Sequence, residues 1–182
     1  MPLVTRDGAR YRRNLPHYRV PGGTYHVRFS IAGRERKLNK DWMYQIIEEQ
    51  LLGLHKTAYL LFSYVIMSTH SHAVCQPLPL SKNPQDWGDC RKYPRLESLL
   101  GGIKGRTARL INQRAGRCGN VWLKESFDRL IRGDKDLAEV IDYIHHNPVR
   151  WKLVGRPEEY RWSSLNTIYS GREEYRGWFD WV

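Results

Sequence analysis

The chain has 182 residues, with 30 Lys and Arg against 19 Asp and Glu and a formal net charge of +11. This length is typical of one domain, and 41% hydrophobic with 12% aromatic residues argues against a disordered chain. The longest apolar run is too short to cross a bilayer, and the start lacks the apolar core of a signal peptide. We therefore expect neither membrane insertion nor secretion. We expect one domain over 1–182, with a basic lead-in (1–23) and a C-terminal tail (166–182).

The positive charge is unevenly distributed along the chain. Its excess lies in residues 1–40 and 91–117, and the rest of the chain is nearly neutral. Two basic blocks beside a neutral core are typical of a protein that binds a polyanion such as nucleic acid, although a solvated surface also fits. The three cysteines are odd in number and form no CxxC pair, which indicates a reducing cytoplasm rather than a disulfide framework.

Hydrophobic periodicity predicts the elements of the first half of the chain. Apolar and polar residues alternate from Tyr25 to Ile31, which predicts a half-buried strand. Asp41 can cap a helix whose apolar positions run to Leu54 at three- and four-residue spacing. A run that is apolar on both faces predicts a central strand over 58–67, and residues 70–76 are predicted as its hairpin partner.

The second half adds two helices and a strand. A loop over 77–95 precedes an amphipathic helix over 96–111, and residues 121–132 are predicted as a strand. Asp134 is predicted to cap a third helix, which Pro148 ends. The order strand–helix–strand–strand–helix–strand–helix predicts an α+β fold, a ferredoxin-like βαββαβ antiparallel sheet with its helices on one face.

Two histidines lie two residues apart on the second strand of the hairpin. Because strand side chains alternate, His70 and His72 project from the same face and can converge on one divalent metal ion. Tyr143 and Asn147 lie four apart on the third helix and therefore share one stripe beside its apolar face. Each pair alone also fits ordinary packing. Together they form an open three-ligand metal site with a tyrosine placed to attack a bound phosphate.

Five segments carry a resemblance to a known family, in order and spacing: YVIMSTHSHAV, LLGGIKGRTARLIN, VWLKESFDRLIR, YIHHNPVRWKLV and RPEEYRWSS. Over residues 12–165 the chain resembles the REP-associated tyrosine transposases, a branch of the single-tyrosine HUH transposases and nucleases. The resemblance implies a fold of the HUH-nuclease type. It also implies that His70, His72 and Asn147 hold Mg²⁺ or Mn²⁺ and that Tyr143 is the nucleophile.

The resemblance implies an activity as well. The expected enzyme nicks single-stranded DNA at REP-type hairpin repeats and transfers the strand through a 5′-phosphotyrosine intermediate. Its partner is single-stranded or hairpin DNA, with no membrane, and the chain acts as a monomer or homodimer in the cytoplasm, associated with the nucleoid.

Two positions depart from the family pattern. Ser71 stands where the middle residue of the motif is normally bulky and apolar, and Thr69 stands where the family commonly has Asn. Ser71 should face away from the metal, so the ligands survive while the packing behind them loosens. The alternative function is therefore a domesticated, catalytically weak or inactive protein that binds hairpin DNA.

Further side chains have two interpretations each. Basic residues of the lead-in and of the second helix suit phosphate contacts, or else belong to a disordered tail and a solvated face. They are Arg12, Arg13, Arg19, Lys104, Arg106 and Arg109. Glu139 could help to deprotonate the tyrosine, or is a solvated carboxylate. His145 and His146 could touch DNA or be exposed, and three tryptophans are predicted to be core residues rather than base platforms: Trp122, Trp151 and Trp162.

Overall fold

The computed structural model of the chain describes residues 9–12, 16–33 and 37–169, and only the backbone at 9–12, 16–18 and 168–169. The strands are β1 (Ala9–Arg12), β2 (Pro16–Arg19), β3 (Tyr25–Ser30), β4 (Tyr59–Ile66), β5 (His70–Pro77) and β6 (Phe127–Leu130). The helices are α1 (Asp41–Gly53), α2 (Leu96–Arg114), α3 (Gly133–His145), α4 (Asn147–Arg150) and α5 (Ser164–Tyr169). No helix in these ranges has the length and apolar composition that crossing a bilayer requires.

Four strands form an antiparallel sheet in the order β4-β5-β3-β6, and β1 pairs with β2 in a separate hairpin. The predicted α+β fold, with a βαββαβ antiparallel sheet and helices packed on it, is confirmed. The β1–β2 hairpin was missed, because its short basic strands carry no apolar face. Within the predicted strand over 121–132 only β6 is regular, with one further bridge between Trp122 and Ile31.

The helices cover both faces of the sheet, and the prediction of one covered face is wrong. Helices α1 and α2 bury the main core against the face that carries Val27, Phe29 and Ala73. Helix α3 packs Val140 and Ile144 against the opposite face, where a second cluster contains Val65, Met67 and Val74. The cause is that β4 and β5 are apolar on both sides, so each face needs a cover.

Strand β4 lies at an edge of the sheet, although its two apolar faces predicted a central position. The segment 160–162, between α4 and α5, closes this edge. The amide of Ile66 donates to the Trp162 carbonyl at 2.8 Å, and the Tyr160 hydroxyl donates to the Ile66 carbonyl at 2.9 Å. A strand can therefore be buried like a central one when a non-strand segment occupies its free edge.

Neither predicted helix cap is observed. The residues before α1 and α3 are Lys40 and Arg132, and neither makes a side-chain cap. Asp41 and Asp134 lie inside the first turns instead, where the helix dipole favours a carboxylate. Asp136 satisfies the Arg132 amide at 2.8 Å.

The end of the third helix also differs from the prediction. Helix α3 ends at His145, before Pro148 is reached, and Pro148 lies in the first turn of α4. A proline fits there because the first turn of a helix needs no amide partner. Helix α5 spans the predicted start of the C-terminal tail at residue 166, and residues 170–182 lie outside the described ranges.

A buried polar cluster joins α5 to the sheet and to α3. The Ser164 hydroxyl accepts from the Tyr64 amide at 3.0 Å and lies 2.8 Å from Nε2 of His145. Ser164 and Tyr64 are fully buried, and His145 is 6% exposed. This cluster fixes the C-terminal end of α3 against β4.

We expect Ser164→Ala to lower the free energy of unfolding by about 1–3 kcal/mol, because it leaves a buried amide and a buried imidazole without their partner. Urea unfolding followed by circular dichroism would measure this. Ser98→Ala, at an exposed position of α2, is the matched control and should change stability by less than about 0.5 kcal/mol. Equal effects of the two substitutions would contradict the structural role of Ser164.

Candidate functional site

Strand β5 places both predicted histidines on the face that α3 covers. The rings of His70 and His72 are 4% and 3% exposed, and their centroids are 4.9 Å apart. In the neighbouring strand β3, Arg28 pairs with His72, and His26 pairs with Val74. Since paired residues of antiparallel strands share a face, His26 and Arg28 join the histidines.

A hydrogen bond orients each of the two rings through Nδ1. Nδ1 of His72 lies 2.9 Å from Nε2 of His26, and Nδ1 of His70 lies 3.0 Å from the Thr69 hydroxyl. These contacts direct Nε2 of each ring to the other side, where it can meet a further ligand. Thr69 thus supplies a polar contact to His70 at the position where the sequence departs from the family pattern.

Burial keeps all three imidazoles neutral. Desolvation is the main cause that lowers the pKa of His70 and of His26 to about 4 each, and nearby arginines add to it. The pKa of His72 falls to about 2, because His26, His70 and Arg28 reinforce its desolvation. A neutral imidazole keeps the lone pair that a metal ion requires.

The predicted nucleophile stands beside these rings. The Tyr143 side chain is 37% exposed, and its ring centroid lies 5.7 Å from that of His72 and 6.2 Å from that of His26. The guanidinium carbon of Arg150 lies 4.9 Å from the centroid of the Tyr143 ring. The phenol therefore sits at the border between solvent and a buried histidine cluster, beside a fixed positive charge.

Asn147 begins α4, one turn beyond Tyr143, and is 3% exposed. Its side-chain oxygen is buried and accepts no hydrogen bond from any residue that the structure describes. An unsatisfied buried carbonyl oxygen costs about 1–3 kcal/mol unless something else meets it. A cation is one group that would satisfy it.

The donor set fits a divalent metal held by few protein ligands. Within the described ranges, no group of three or more His, Cys, Asp and Glu side chains could hold a metal ion. The site instead offers two neutral imidazoles and one carboxamide oxygen. Such a set leaves positions open for phosphate oxygens, as hard cations in phosphoryl chemistry require.

An open cleft of about 980 Å³, including solvent at its mouth, runs along this face. Its walls come from β3, β6, α3 and β5, and their residues are His26, Arg28, His72, Phe127, Arg129, Asp136, Glu139, Val140 and Tyr143. Arg129 is paired with the Asp136 carboxylate at 2.9 Å, whereas the exposed Arg28 gives the wall a positive charge, which suits a phosphodiester backbone.

Two titratable neighbours of Tyr143, Glu139 and His146, have defined positions. Glu139 lines the cleft with a side chain 66% exposed, 4.0 Å from Lys135. His146 is half-exposed and pairs with the Asp142 carboxylate at 2.9 Å. His145 is buried in the Ser164 cluster, so the expectation that it is exposed or touches DNA is wrong.

Four of the six predicted basic contact residues are described with their side chains, and none of these four lines the cleft. Arg19 donates to the carbonyls of Cys90 and Tyr93, and Lys104 donates to the Lys124 carbonyl at 2.8 Å. Arg106 and Arg109 are exposed on α2, which packs on the other face of the sheet from His70. Arg12 lies in β1 and Arg13 lies outside the described residues. DNA contact by these six remains a prediction.

Sequence reasoning missed four residues around the site: His26, Arg28, Arg150 and Trp151. The alternation in β3 already set His26 and Arg28 apart from the core, but only the strand register shows that they face His72. Trp122 and Trp162 are core residues as predicted. The same prediction is wrong for Trp151, which is 59% exposed and lies 5.9 Å from the His70 ring.

Comparison with known proteins places the chain among the tyrosine transposases. No family model matches. The chain is 36% identical, over 156 residues, to a Haemophilus influenzae protein whose name assigns it to the REP-associated tyrosine transposases. The alignment covers 86% of this chain and 85% of that protein. The chain belongs to the REP-associated tyrosine transposases.

A solved structure has the same fold. It is that of a REP-associated tyrosine transposase bound to a REP hairpin, and it matches with a TM-score of 0.65 at 20% identity. The match covers 96% of this chain and 91% of the other. At this identity the similarity establishes the fold alone, and the fold agrees with the sheet and helices described above.

Ser71 lies behind the two histidines, on the opposite face of β5. It is fully buried, its neighbours across the sheet are Phe29 and Ile66, and its hydroxyl has no hydrogen-bond partner among the described residues. A hydroxyl thus occupies an apolar position without compensation.

We expect Ser71→Ala to raise the free energy of unfolding by about 1 kcal/mol, because it removes an unsatisfied buried group. The same urea titration would measure it. Ser164→Ala makes the identical chemical change where the hydroxyl is bonded, and should have the opposite sign. Destabilisation by Ser71→Ala would show that its hydroxyl is satisfied after all.

Proposed function

We propose that the chain is a metal-dependent single-stranded DNA nickase and strand transferase that acts at REP-type hairpins through a 5′-phosphotyrosine at Tyr143. The observation that carries the proposal is a single juxtaposition. An accessible phenol stands 5.7 Å, centroid to centroid, from His72, and Asn147, four residues further along the chain, has a buried and unsatisfied side-chain oxygen. A packed structural tyrosine would need neither neutral paired histidines nor an unpaired carboxamide.

His70 and His72, each through Nε2, and Asn147, through its side-chain oxygen, would hold Mg²⁺ or Mn²⁺. When bound, such an ion polarises the scissile phosphate and stabilises the charge that develops on the leaving 3′ oxygen. The hydrogen bonds at Nδ1 fix the ring orientations and keep Nε2 free for this role.

The protein groups define the covalent step. The Tyr143 oxygen attacks phosphorus, and a P–O bond to the tyrosine forms as the bond from phosphorus to the 3′ oxygen breaks. The phenolic proton leaves to a base, and the 3′ oxygen takes up a proton to become a 3′-OH. Attack by a 3′-OH on the phosphotyrosine then restores the phenol and joins the strand.

Positive side chains support this chemistry from both sides of the tyrosine. Arg150 lies over the Tyr143 ring, where its charge would attract the scissile phosphate. Arg28 lines the cleft and would hold the phosphodiester backbone, while Arg129 is engaged by Asp136. The hairpin substrate is extended to this chain from the relative that is bound to a REP hairpin. Chains of this kind would act at the nucleoid, as monomers or homodimers.

One observation favours a second function. The unsatisfied hydroxyl of Ser71 lies directly behind the two metal-binding candidates, where the family pattern has a bulky apolar residue. If it loosens their packing enough, the protein binds hairpin DNA without cutting it. The two functions differ in whether a covalent adduct forms.

Tyr143→Phe should abolish a covalent protein–DNA adduct that the unchanged protein forms with a labelled REP-type hairpin and Mn²⁺. The reason is that phenylalanine keeps the ring and loses the attacking oxygen. Denaturing electrophoresis measures the adduct. Tyr93→Phe removes a phenol that donates to the Trp87 carbonyl in the 77–95 loop, and should leave the adduct unchanged.

Each other result has a definite meaning. An adduct that persists in Tyr143→Phe refutes the assignment of the nucleophile. Hairpin binding without an adduct in the unchanged protein supports the non-catalytic function. Absence of hairpin binding refutes the substrate.

His26→Ala should weaken Mn²⁺ binding by about 10- to 100-fold, because it removes the hydrogen-bond partner that orients His72. Isothermal calorimetry with Mn²⁺ and no DNA measures this. His26→Gln, whose amide can still meet Nδ1 of His72, should recover part of the affinity. His146→Ala removes a half-exposed imidazole near the site and serves as the control, with no change expected. Equal Mn²⁺ affinity in all four proteins would contradict the role of His26.

A further inference from the structure

Trp151 is an exposed aromatic ring at the edge of the proposed site, and it has no part in the proposed metal site or in the covalent step. It is 59% exposed, and no other described tryptophan is as exposed. Its ring centroid lies 5.9 Å from that of His70, with the planes tilted by 54°. Such a ring offers a large, rigid and accessible surface on which a planar ligand can stack next to a metal-binding candidate.

Hydrogen bonds define the backbone that carries this ring. Trp151 directly follows α4 as its C-cap, and its amide donates to the Asn147 carbonyl at 3.1 Å. The next residue, Lys152, has a φ of +56°, a conformation that side chains rarely adopt, and its amide donates to the Val149 carbonyl at 2.9 Å. The chain thus turns sharply after the ring, so that Trp151 lies at the exposed corner where α4 ends.

The surroundings select the chemistry of the occupant. The nearest basic neighbour on the helix, Arg150, contacts Tyr143, and Arg28 is exposed on the same face of the sheet. An exposed aromatic ring beside a site that carries guanidinium groups suits a ligand that combines flat aromatic surface with negative charge. Unpaired nucleotides have both properties, and base stacking on an aromatic side chain tolerates any base.

We propose that Trp151 is a stacking platform for one unpaired base next to the scissile phosphate, and thereby positions the strand across Tyr143. The inference rests on the proposed function, because it needs a single strand in the cleft. Trp151 stands beside His70 and Tyr143 stands beside His72, so stacking on Trp151 would hold the strand at a second point next to the reacting phosphorus. Trp151 acts as a positioning residue and takes no part in bond making.

The test combines a protein variant with removal of single bases. The DNA is a REP-type hairpin with single-stranded flanks, in which each flank position in turn is made abasic. Fluorescence anisotropy measures its affinity for the protein in the presence of Mn²⁺. With the unchanged protein, we expect one position where loss of the base weakens binding by roughly 5- to 150-fold, as loss of one stacked base does.

Trp151→Ala should weaken binding of the intact DNA by a similar factor and should abolish the sensitivity to that one abasic position. Trp151→Phe, which keeps an aromatic surface, should retain most of the sensitivity to that abasic position. Trp87→Ala removes another exposed tryptophan, on the 77–95 loop, and should leave the abasic pattern unchanged. If the role of Trp151 were merely structural, Trp151→Ala would lower the affinity for every abasic DNA alike, and the one sensitive position would remain sensitive.

Three outcomes would overturn the inference. The first is an abasic pattern that is the same with and without the Trp151 ring. The second is a change of oligomeric state in Trp151→Ala, by sedimentation, with the pattern retained, which would assign the ring to a contact between chains. The third is failure of the unchanged protein to bind the hairpin, which refutes the proposed function as well. If instead the covalent adduct forms and Trp151→Ala keeps the abasic pattern, only the stacking is refuted.

Discussion

The register between β3 and β5 is the constraint on which the rest of the site depends. Because Arg28 stands opposite His72, the even residues of both strands share one face, and the odd residues form the core with α1 and α2. A shift by one residue would move the histidines into the core and expose Phe29. The register is held by the burial of that apolar face, so the stability of the core and the geometry of the site have the same origin.

The second face of the sheet is where burial and chemistry meet. Val140 and Ile144 of α3 pack on the apolar part of this face, and this packing sets the height of Tyr143 above His72. The same packing removes water from the histidines, which explains why their pKa values lie far below the ordinary range. The packing of α3 on this face therefore has two effects. It completes a small hydrophobic cluster, and it keeps the imidazoles in the protonation state that a metal requires.

Much of this arrangement could be predicted from the sequence. The features that could not be predicted depend on contacts between distant parts of the chain or on positions that a local pattern does not distinguish. The spacing of His70 and His72 placed them on one face, because alternation in a strand is a local property. The position of Trp151 was missed since burial of an aromatic ring depends on which elements lie over it. Local pattern also failed for β4, whose edge position depends on Tyr160 and Trp162, almost a hundred residues away. The two helix caps were predicted wrongly because an aspartate stabilises the first turn of a helix from several neighbouring positions.

The hydrogen bond from His145 to Ser164 links the site to the order in which the chain is synthesised. Every residue proposed for chemistry has been added by the time residue 151 is made, yet the serine that fixes the end of α3 comes thirteen residues later. A ribosome covers the newest part of its product, so a nascent chain that already contains Tyr143 still lacks the contact that anchors its helix. The end of α3 beyond Tyr143 is therefore anchored to Ser164 only after every residue proposed for chemistry has been added.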